Sequence, residues 1–102
     1  MKDQKYLNWC KYHISGCSPI HRIKRNVVSI SVANSLKHEL AKTKKCYELR
    51  KQGFEFITEA VENNSGLRRD VVCLDNNEIY EIETSKQRAK RFEGTNVNVI
   101  QL

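Results

Sequence analysis

The stretch DVVCLDNNEIYEIET, residues 70 to 84, contains two short runs rich in β-branched and other apolar residues, separated by Asp75, Asn76 and Asn77. A cluster of Asp and Asn between two such runs is typical of the turn in a β-hairpin. We therefore predict two adjacent strands, with residue 70 roughly opposite residues in the early eighties.

Three carboxylates belong to this hairpin. Asp70 begins the first strand, and Glu81 and Glu83 occupy alternate positions of the second. Residues two apart on a strand point to the same side, so the pairing should bring all three acids to one end of the sheet. Carboxylates at such range repel each other, and a divalent cation with oxygen ligands relieves the repulsion. The plainer alternative is the solvated face of an edge strand.

The segments before the hairpin predict a helix followed by a third strand. FEFITEAV, residues 54 to 61, has the composition of a strand, and ENNSG ends it. LKHELAKTKKCYELRKQ, residues 36 to 52, is predicted to be a helix that packs on one face of the sheet, with Asn34 or Ser35 as N-cap and Gly53 as the stop. An apolar stripe at helical spacing contains Leu36, Leu40, Thr43 and Tyr47, and the opposite side is rich in lysine.

The segments after the hairpin predict a second helix and a last strand. Ser85 is placed to cap KQRAKRF, residues 86 to 92, Glu93 and Gly94 end it, and VNVIQL, residues 97 to 102, reads as a strand. From residue 35 the predicted order is α-β-β-β-α-β, an α/β fold with a central mixed sheet flanked by helices. VVSISV, residues 27 to 32, suggests another strand or an extended lead-in. We expect one domain over residues 1–102, with residues 1–34 as an N-terminal extension and residues 35–102 as the core.

The segment GLRRDVVCLDNNEIYEIETSKQRAKRF, residues 66 to 92, resembles the core motif of the PD-(D/E)xK nuclease superfamily. In that motif an acid begins one strand and an acid-x-lysine triplet lies on the next. The resemblance extends over about residues 35–102 and implies a restriction-endonuclease-like core. Asp70 matches the first acid and Glu81 the second, while Glu83 stands where most members carry lysine. Some restriction endonucleases of the superfamily use this E-x-E form.

The resemblance implies a metal-dependent nuclease, an endonuclease or exonuclease that hydrolyses phosphodiester bonds with Mg²⁺ or Mn²⁺. Asp70, Glu81 and Glu83 would be its catalytic residues. Glu39, in the helix segment KHELAK, corresponds to an additional helix acid, so the implied metal ligands are Glu39, Asp70 and Glu81. Glu59 is a candidate peripheral acid, and Lys86 or Lys42 would replace the missing positive charge.

The formal net charge of +6 is unevenly distributed along the chain. Residues 1–53 contain 12 Lys and Arg against 3 Asp and Glu, whereas residues 54–102 contain 6 against 9. A basic surface suits the phosphates of nucleic acid, so DNA is the partner that we expect, although basic residues also serve simply as a solvated face. The predicted phosphate contacts are Lys42, Lys44, Lys45, Arg68, Arg69, Lys86, Arg88, Lys90 and Arg91.

WCKYHISGCSPIHR, residues 9 to 22, brings together Cys10, His13, Cys17 and His21. These are zinc-ligand types, but the spacing C-x2-H-x3-C-x3-H departs from that of recognised zinc fingers. We therefore favour one side of an amphipathic helix, containing Tyr6, Trp9, Cys10, His13 and Cys17 and ended by Gly16 and Pro19. His38, beside Glu39, is predicted to be a surface or supporting residue and not a ligand. Cys73, inside VVCL, reads as a core residue.

The amino end has no apolar run of signal-peptide or membrane-span length, so we expect a cytoplasmic protein with free thiols and no membrane partner. Because members of the resembled superfamily often dimerise, a homodimer is also expected. Two other function classes stay open: a non-catalytic, nuclease-derived protein that binds nucleic acid, and a protein-interaction module.

Overall fold

The predicted hairpin lies at the centre of the fold. The computed structural model describes residues 3–17 and 22–102. Its elements in chain order are α1 (Gln4–Trp9), β1 (Tyr12–Ile14), α2 (Leu36–Lys51), β2 (Phe56–Glu62), β3 (Arg68–Cys73), β4 (Ile79–Glu83), α3 (Lys86–Lys90) and β5 (Val97–Gln101). The order predicted from residue 35 onward, α-β-β-β-α-β, is confirmed.

The strands form one mixed sheet in the order β1-β2-β3-β4-β5. β1, β2, β3 and β4 pair successively in antiparallel fashion, whereas β4 and β5 are parallel. A parallel pair needs a crossover connection, and the segment that contains α3 supplies it. The pairing of Val71 with Tyr80 and of Val72 with Ile79 confirms the predicted hairpin.

Apolar side chains fill both faces of this sheet. Neighbouring residues Val71 and Val72 belong to different clusters because successive strand residues point to opposite faces. One cluster contains Tyr12, Ile23, Ile57, Ala60, Val72 and Leu74, and the other contains Cys46, Leu49, Phe56, Val71 and Cys73. Cys46 and Leu49 come from α2, so this helix covers the second face. Cys73 is fully buried, as predicted.

Helix α2 has the predicted limits but presents an unexpected side to the sheet. Ser35 is its N-cap and accepts a hydrogen bond from the backbone N–H of His38, and Gly53 has a φ of 82°. Its buried residues are Glu39, Lys42, Cys46 and Leu49. The apolar stripe points to solvent instead, with Leu36, Leu40, Thr43 and Tyr47 all exposed.

The N-terminal extension takes part in the sheet. The single helix predicted around Tyr6 to Cys17 is wrong, since α1 ends at Trp9 and β1 then pairs with β2. Burial of Tyr12 in the core, with its backbone in the sheet ladder, outweighs the helical spacing. Pro19, predicted to end that helix, lies outside the described residues. Apart from the two undescribed segments, no helix in the chain is long and apolar enough to cross a membrane.

Residues 27–32 form a lead-in to α2 that does not join the sheet. The strand prediction for VVSISV is therefore wrong, and the lead-in alternative agrees with the structure. Two of its N–H groups donate to side chains in place of a neighbouring strand: Ser29 to Thr58 Oγ1 and Ser31 to Glu39 Oε1. Such local partners satisfy the backbone without a ladder.

Candidate metal and phosphate site

The β3–β4 ladder opens at Asp70. Val71 pairs with Tyr80, and one further step in the same register places Asp70 opposite Glu81. At this point the carboxylate of Asp70 takes over the role of a backbone acceptor, because the N–H of Ile82 donates to Asp70 Oδ2 at 2.8 Å. A hydrogen bond to the Asp70 side chain thus replaces a backbone–backbone hydrogen bond between β3 and β4 at this position.

A cavity of about 400 Å³ lies beside this opening. Asp70, Glu81 and Glu83 all line it, so the structure brings together the three acids that the hairpin predicted. Its other lining residues are mainly polar or basic: Ala33, Asn34, Ser35, His38, Arg68, Ile82, Thr84, Arg88 and Arg91.

Glu81 is the most perturbed acid of the site. Its burial, followed by the adjacent Asp70 carboxylate, raises the pKa of Glu81 from 4.5 to about 8. Arg69 acts in the opposite direction, with its Nη1 3.5 Å from Glu81 Oε1. One guanidinium at this distance does not compensate for the burial and the repulsion, so Glu81 holds its proton to higher pH than an ordinary glutamate.

Glu83 is buried like Glu81 but has its own cation. Arg91 Nη2 lies 3.1 Å from Glu83 Oε1, and the Arg91 side chain is 62% exposed. The Arg91 guanidinium, at the solvent side of the cavity, therefore forms an ion pair with the buried Glu83 carboxylate.

Glu39, implied as a metal ligand, does not line the cavity. Lys42 Nζ lies 2.7 Å from Glu39 Oε2, and the N–H of Ser31 donates to Glu39 Oε1 at 2.6 Å. Burial alone raises the pKa of Glu39, but these two partners, with help from His38, outweigh it and leave the pKa below its usual value. The carboxylate is held ionised by protein groups, and each of its oxygens has a protein partner. The structure thus places Glu39 outside the lining of the cavity that contains Asp70 and Glu81, and its role as a metal ligand stays a prediction.

His38 connects Glu39 to the acid pair. Its Nδ1 lies 3.4 Å from Glu39 Oε2, and its Nε2 lies 3.4 Å from Asp70 Oδ2. The side chain is largely buried and lines the cavity. The sequence prediction placed His38 only as a surface or supporting residue. Its place beside Glu39 on the first turn of α2 was the one signal for a role at the site.

Lys42, predicted to contact phosphate, is a structural cation. Its side chain is completely buried, and Nζ donates to the carbonyl of Ser29 at 2.6 Å in addition to its pairing with Glu39. Glu59 Oε2 lies 3.5 Å from the same Nζ. A buried ammonium with these partners does not reach a phosphate, so the prediction for Lys42 is wrong.

Glu59 has an unusual backbone conformation beside the site. Its φ is 49°, a left-handed value that is rare for a residue other than glycine. The register of β2 and β3 places it opposite Asp70, and its carboxylate pairs with Lys42 and with Arg68 Nε at 3.6 Å. Glu59 therefore holds basic groups near the cavity without lining it.

The other predicted phosphate contacts fall into three groups. Arg68, Arg88 and Arg91 line the acid cavity and are exposed. Arg69 is largely buried against Glu81 and lines a neighbouring cavity. Lys44, Lys45, Lys86 and Lys90 do not line the acid cavity, and Lys45 lies over the ring of Tyr80 at 4.3 Å.

The described members of the N-terminal Cys/His group, Cys10, His13 and Cys17, do not form a group that could hold a metal ion. His13 lies on β1 with its Nδ1 2.6 Å from Asn63 Oδ1, and Cys17 is exposed beyond the strand. His21 lies outside the described residues. All four cysteines are free thiols.

Within residues 3–17 and 22–102, no three His, Cys, Asp or Glu side chains are arranged to hold a metal ion by themselves. Asp70 and Glu81 nevertheless fit a hard divalent cation. Their mutual repulsion is what such a cation relieves, and Mg²⁺ usually takes only one or two carboxylates while keeping several waters. The cavity beside them has room for waters and for a phosphate group.

Comparisons with protein-family models, with curated proteins and with solved structures find no match for this chain. The geometry of the cavity and the resemblance of residues 66–92 are therefore the basis for a functional assignment.

Proposed function

We propose that the protein is a metal-dependent nuclease with a restriction-endonuclease-like core, acting on the phosphodiester backbone of nucleic acid. The observation that carries the proposal is one cavity lined both by the adjacent carboxyl groups of Asp70 and Glu81 and by three exposed arginines. Phosphodiester hydrolysis needs acids that hold a divalent cation and guanidinium groups that bind phosphate oxygens, and this cavity has both.

Asp70 and Glu81 would hold the ion, Mg²⁺ or Mn²⁺. Bound there, the ion supplies Lewis acidity to a phosphoryl oxygen and lowers the pKa of a water. Glu81 must lose its proton to act as a ligand, so metal affinity rises as the pH approaches and passes its raised pKa.

Arg68, Arg88 and Arg91 bind the phosphates in this proposal. Guanidinium groups form paired hydrogen bonds with phosphate oxygens, and all three side chains are exposed at the cavity, where Arg68 pairs with Glu59 and Arg91 with Glu83. Arg91 exchanges its contact with Glu83 for a phosphate, which releases the Glu83 carboxylate beside the cavity.

Glu83 then accepts a proton from the attacking water, the role that its position in the E-x-E triplet suggests. His38 acts as a positioning residue, since its Nε2 faces Asp70 Oδ2 while its Nδ1 faces the ionised Glu39. Two carboxylates around one imidazole limit the orientations that the ring adopts, and the ring in turn limits those of Asp70.

Calorimetric titration with Mg²⁺ and with Mn²⁺, combined with cleavage of duplex DNA and single-stranded RNA, tests the proposal. The wild-type protein should bind the ions and cleave at least one substrate, and both properties should disappear in Asp70→Ala. The matched control is Glu93→Ala, which removes an exposed acid that does not line the cavity.

Metal binding without cleavage would contradict the enzymatic part of the proposal, and equal loss in Asp70→Ala and Glu93→Ala would contradict the site. Salt-dependent binding of DNA or RNA by a protein that binds no metal would favour the non-catalytic alternative.

A further inference from the structure

The exposed face of α2 carries an apolar stripe that nothing in the described chain covers. Leu36 is 75% exposed, Leu40 60% and Tyr47 66%. Ile30 and Val32, in the lead-in before the helix, are 62% and 97% exposed and lie along the same surface. Isolated exposed apolar residues are ordinary, but a contiguous group marks a binding surface.

The opposite face of the helix makes this exposure more significant. There the ion pair of Glu39 and Lys42 is buried, although removing charged groups from water costs free energy. A helix with polar groups inward and leucines outward is reversed relative to an ordinary surface helix. Leu36 and Leu40, unlike the buried Leu49, therefore contribute little to this fold, and their burial requires another molecule.

The spacing of the stripe fits a second helix. Leu36, Leu40, Thr43 and Tyr47 follow one another at intervals of four, three and four residues, which is the spacing of the a and d positions of a heptad repeat. A groove of about 470 Å³ is lined by the apolar side chains of Ile30, Val32, Leu36 and Leu40, together with Ser31, Asn34, Glu39 and Thr43. A concave apolar groove receives the convex ridge of a helix.

A row of lysines borders the stripe on one side. Lys37, Lys44 and Lys51 are seven residues apart along α2, and all three are exposed. In a heptad register that counts Leu36 as d, they occupy the e positions, which set partner choice through charge. The exposed acid of this helix is Glu48, so the border is strongly basic.

We propose that this surface binds an amphipathic helix of a partner protein, with apolar residues at heptad spacing and acidic residues along its flank. The apolar residues of the partner cover the stripe and enter the groove beside Val32, while its carboxylates face the lysine row. Leu40, Thr43 and Tyr47 do not line the acid cavity, although Asn34 lines both that cavity and the groove, so the two sites are neighbours with separate binding residues.

A second copy of the chain fits this surface poorly. Two antiparallel copies of α2 would place their lysine rows against each other, and Glu39, which would otherwise face Lys44 of a parallel copy, is buried with Lys42. An anionic membrane also fits poorly, because the groove is concave and the lysine row borders only one side of the stripe.

Two synthetic helical peptides test the proposal. Both carry leucine at a and d; one has glutamate at e and g and the other has lysine there. Fluorescence anisotropy should show that the acidic peptide binds the wild-type protein at least about tenfold more tightly than the basic peptide. Leu36→Ser with Leu40→Ser should weaken that binding by about tenfold or more, whereas Leu7→Ser, an exposed leucine on α1, should not change it.

The charge-reversed protein Lys37→Glu, Lys44→Glu provides the sharper comparison, because its preference should switch to the basic peptide. These side chains are exposed, so an unchanged melting temperature shows that each variant is folded. Failure of the acidic peptide to bind, or equal binding of both peptides, overturns the proposal. So does a doubled mass in light scattering that Leu40→Ser abolishes, or leucine-dependent binding to anionic vesicles, since either result assigns the surface to another occupant.

Discussion

Glu81→Gln should stabilise the metal-free protein at alkaline pH. Glutamine keeps the shape of the side chain and its capacity to hydrogen-bond Asp70, but it cannot ionise. In the wild type the folded-state pKa of Glu81 lies above its ordinary value, so the folded protein retains a proton that the unfolded chain releases. The resulting stabilisation is complete below pH 4.5 and is lost as the pH rises to about 8.

The size of the stabilisation by Glu81→Gln follows from the difference between the ordinary and the folded-state pKa of Glu81. Each pKa unit is equivalent to about 1.4 kcal/mol, so the shift from 4.5 to about 8 sets an upper bound near 5 kcal/mol. Reorientation of Arg69 and Asp70 on ionisation reduces the bound, and we expect on the order of 2 kcal/mol. For a domain of about this size that corresponds to a rise in Tm of roughly 10 °C.

The measurement is thermal unfolding by circular dichroism, with a chelator, at about pH 5 and about pH 8.5, on either side of most of the titration. Wild type and Glu81→Gln should be nearly equal at the lower pH, and the variant should be more stable at the higher pH. Glu93→Gln controls for the loss of one exposed negative charge and should show no such divergence. Equal Tm values for wild type and Glu81→Gln at the higher pH would refute the assignment of a strained acid pair.

Three other substitutions or reactions test separate parts of the structure. Lys42→Met should lower the free energy of unfolding, measured by urea denaturation, by about 3–5 kcal/mol, because it leaves Glu39 buried without its cation. The double variant with Glu39→Gln should recover much of this loss, and a loss below about 1 kcal/mol in the single variant would contradict the buried pair. Replacing Arg68, Arg88 and Arg91 by Gln should reduce the dependence of nucleic-acid affinity on salt concentration. The same change at Lys44, Lys45 and Lys86 should reduce it less, and an equal reduction in both variants would count against the cavity as the phosphate site. A thiol reagent should modify exposed Cys17 in the folded protein but Cys46 only on unfolding, since burial raises the pKa of Cys46 to about 12; similar rates for both would be inconsistent with this packing.

The strand pairing around the acids could be predicted because its signals are local. The Asp/Asn turn and the β-branched runs on either side identified β3 and β4, and two-residue periodicity then brought Glu81 and Glu83 to the cavity with Asp70. The same local patterns failed at the N-terminus. A helical spacing of Trp9 and His13 could not reveal that the backbone near Tyr12 pairs with β2, about fifty residues away.

The ends of α2 could also be predicted from the sequence, since Ser35 and Gly53 act through the backbone next to them. The side of the helix that faces the sheet could not be predicted. Glu39 lies one turn from Lys42 on α2 itself, but Ser29 and Glu59 contact the Lys42 ammonium from two other segments, which only the folded chain brings together. Once that charged side turns inward, Leu36, Leu40 and Tyr47 must turn outward, because residues on opposite sides of one helix cannot face the same sheet. Local sequence therefore determined which elements form and where they end, whereas contacts with residues distant in sequence decided which side of α2 is buried and which is exposed.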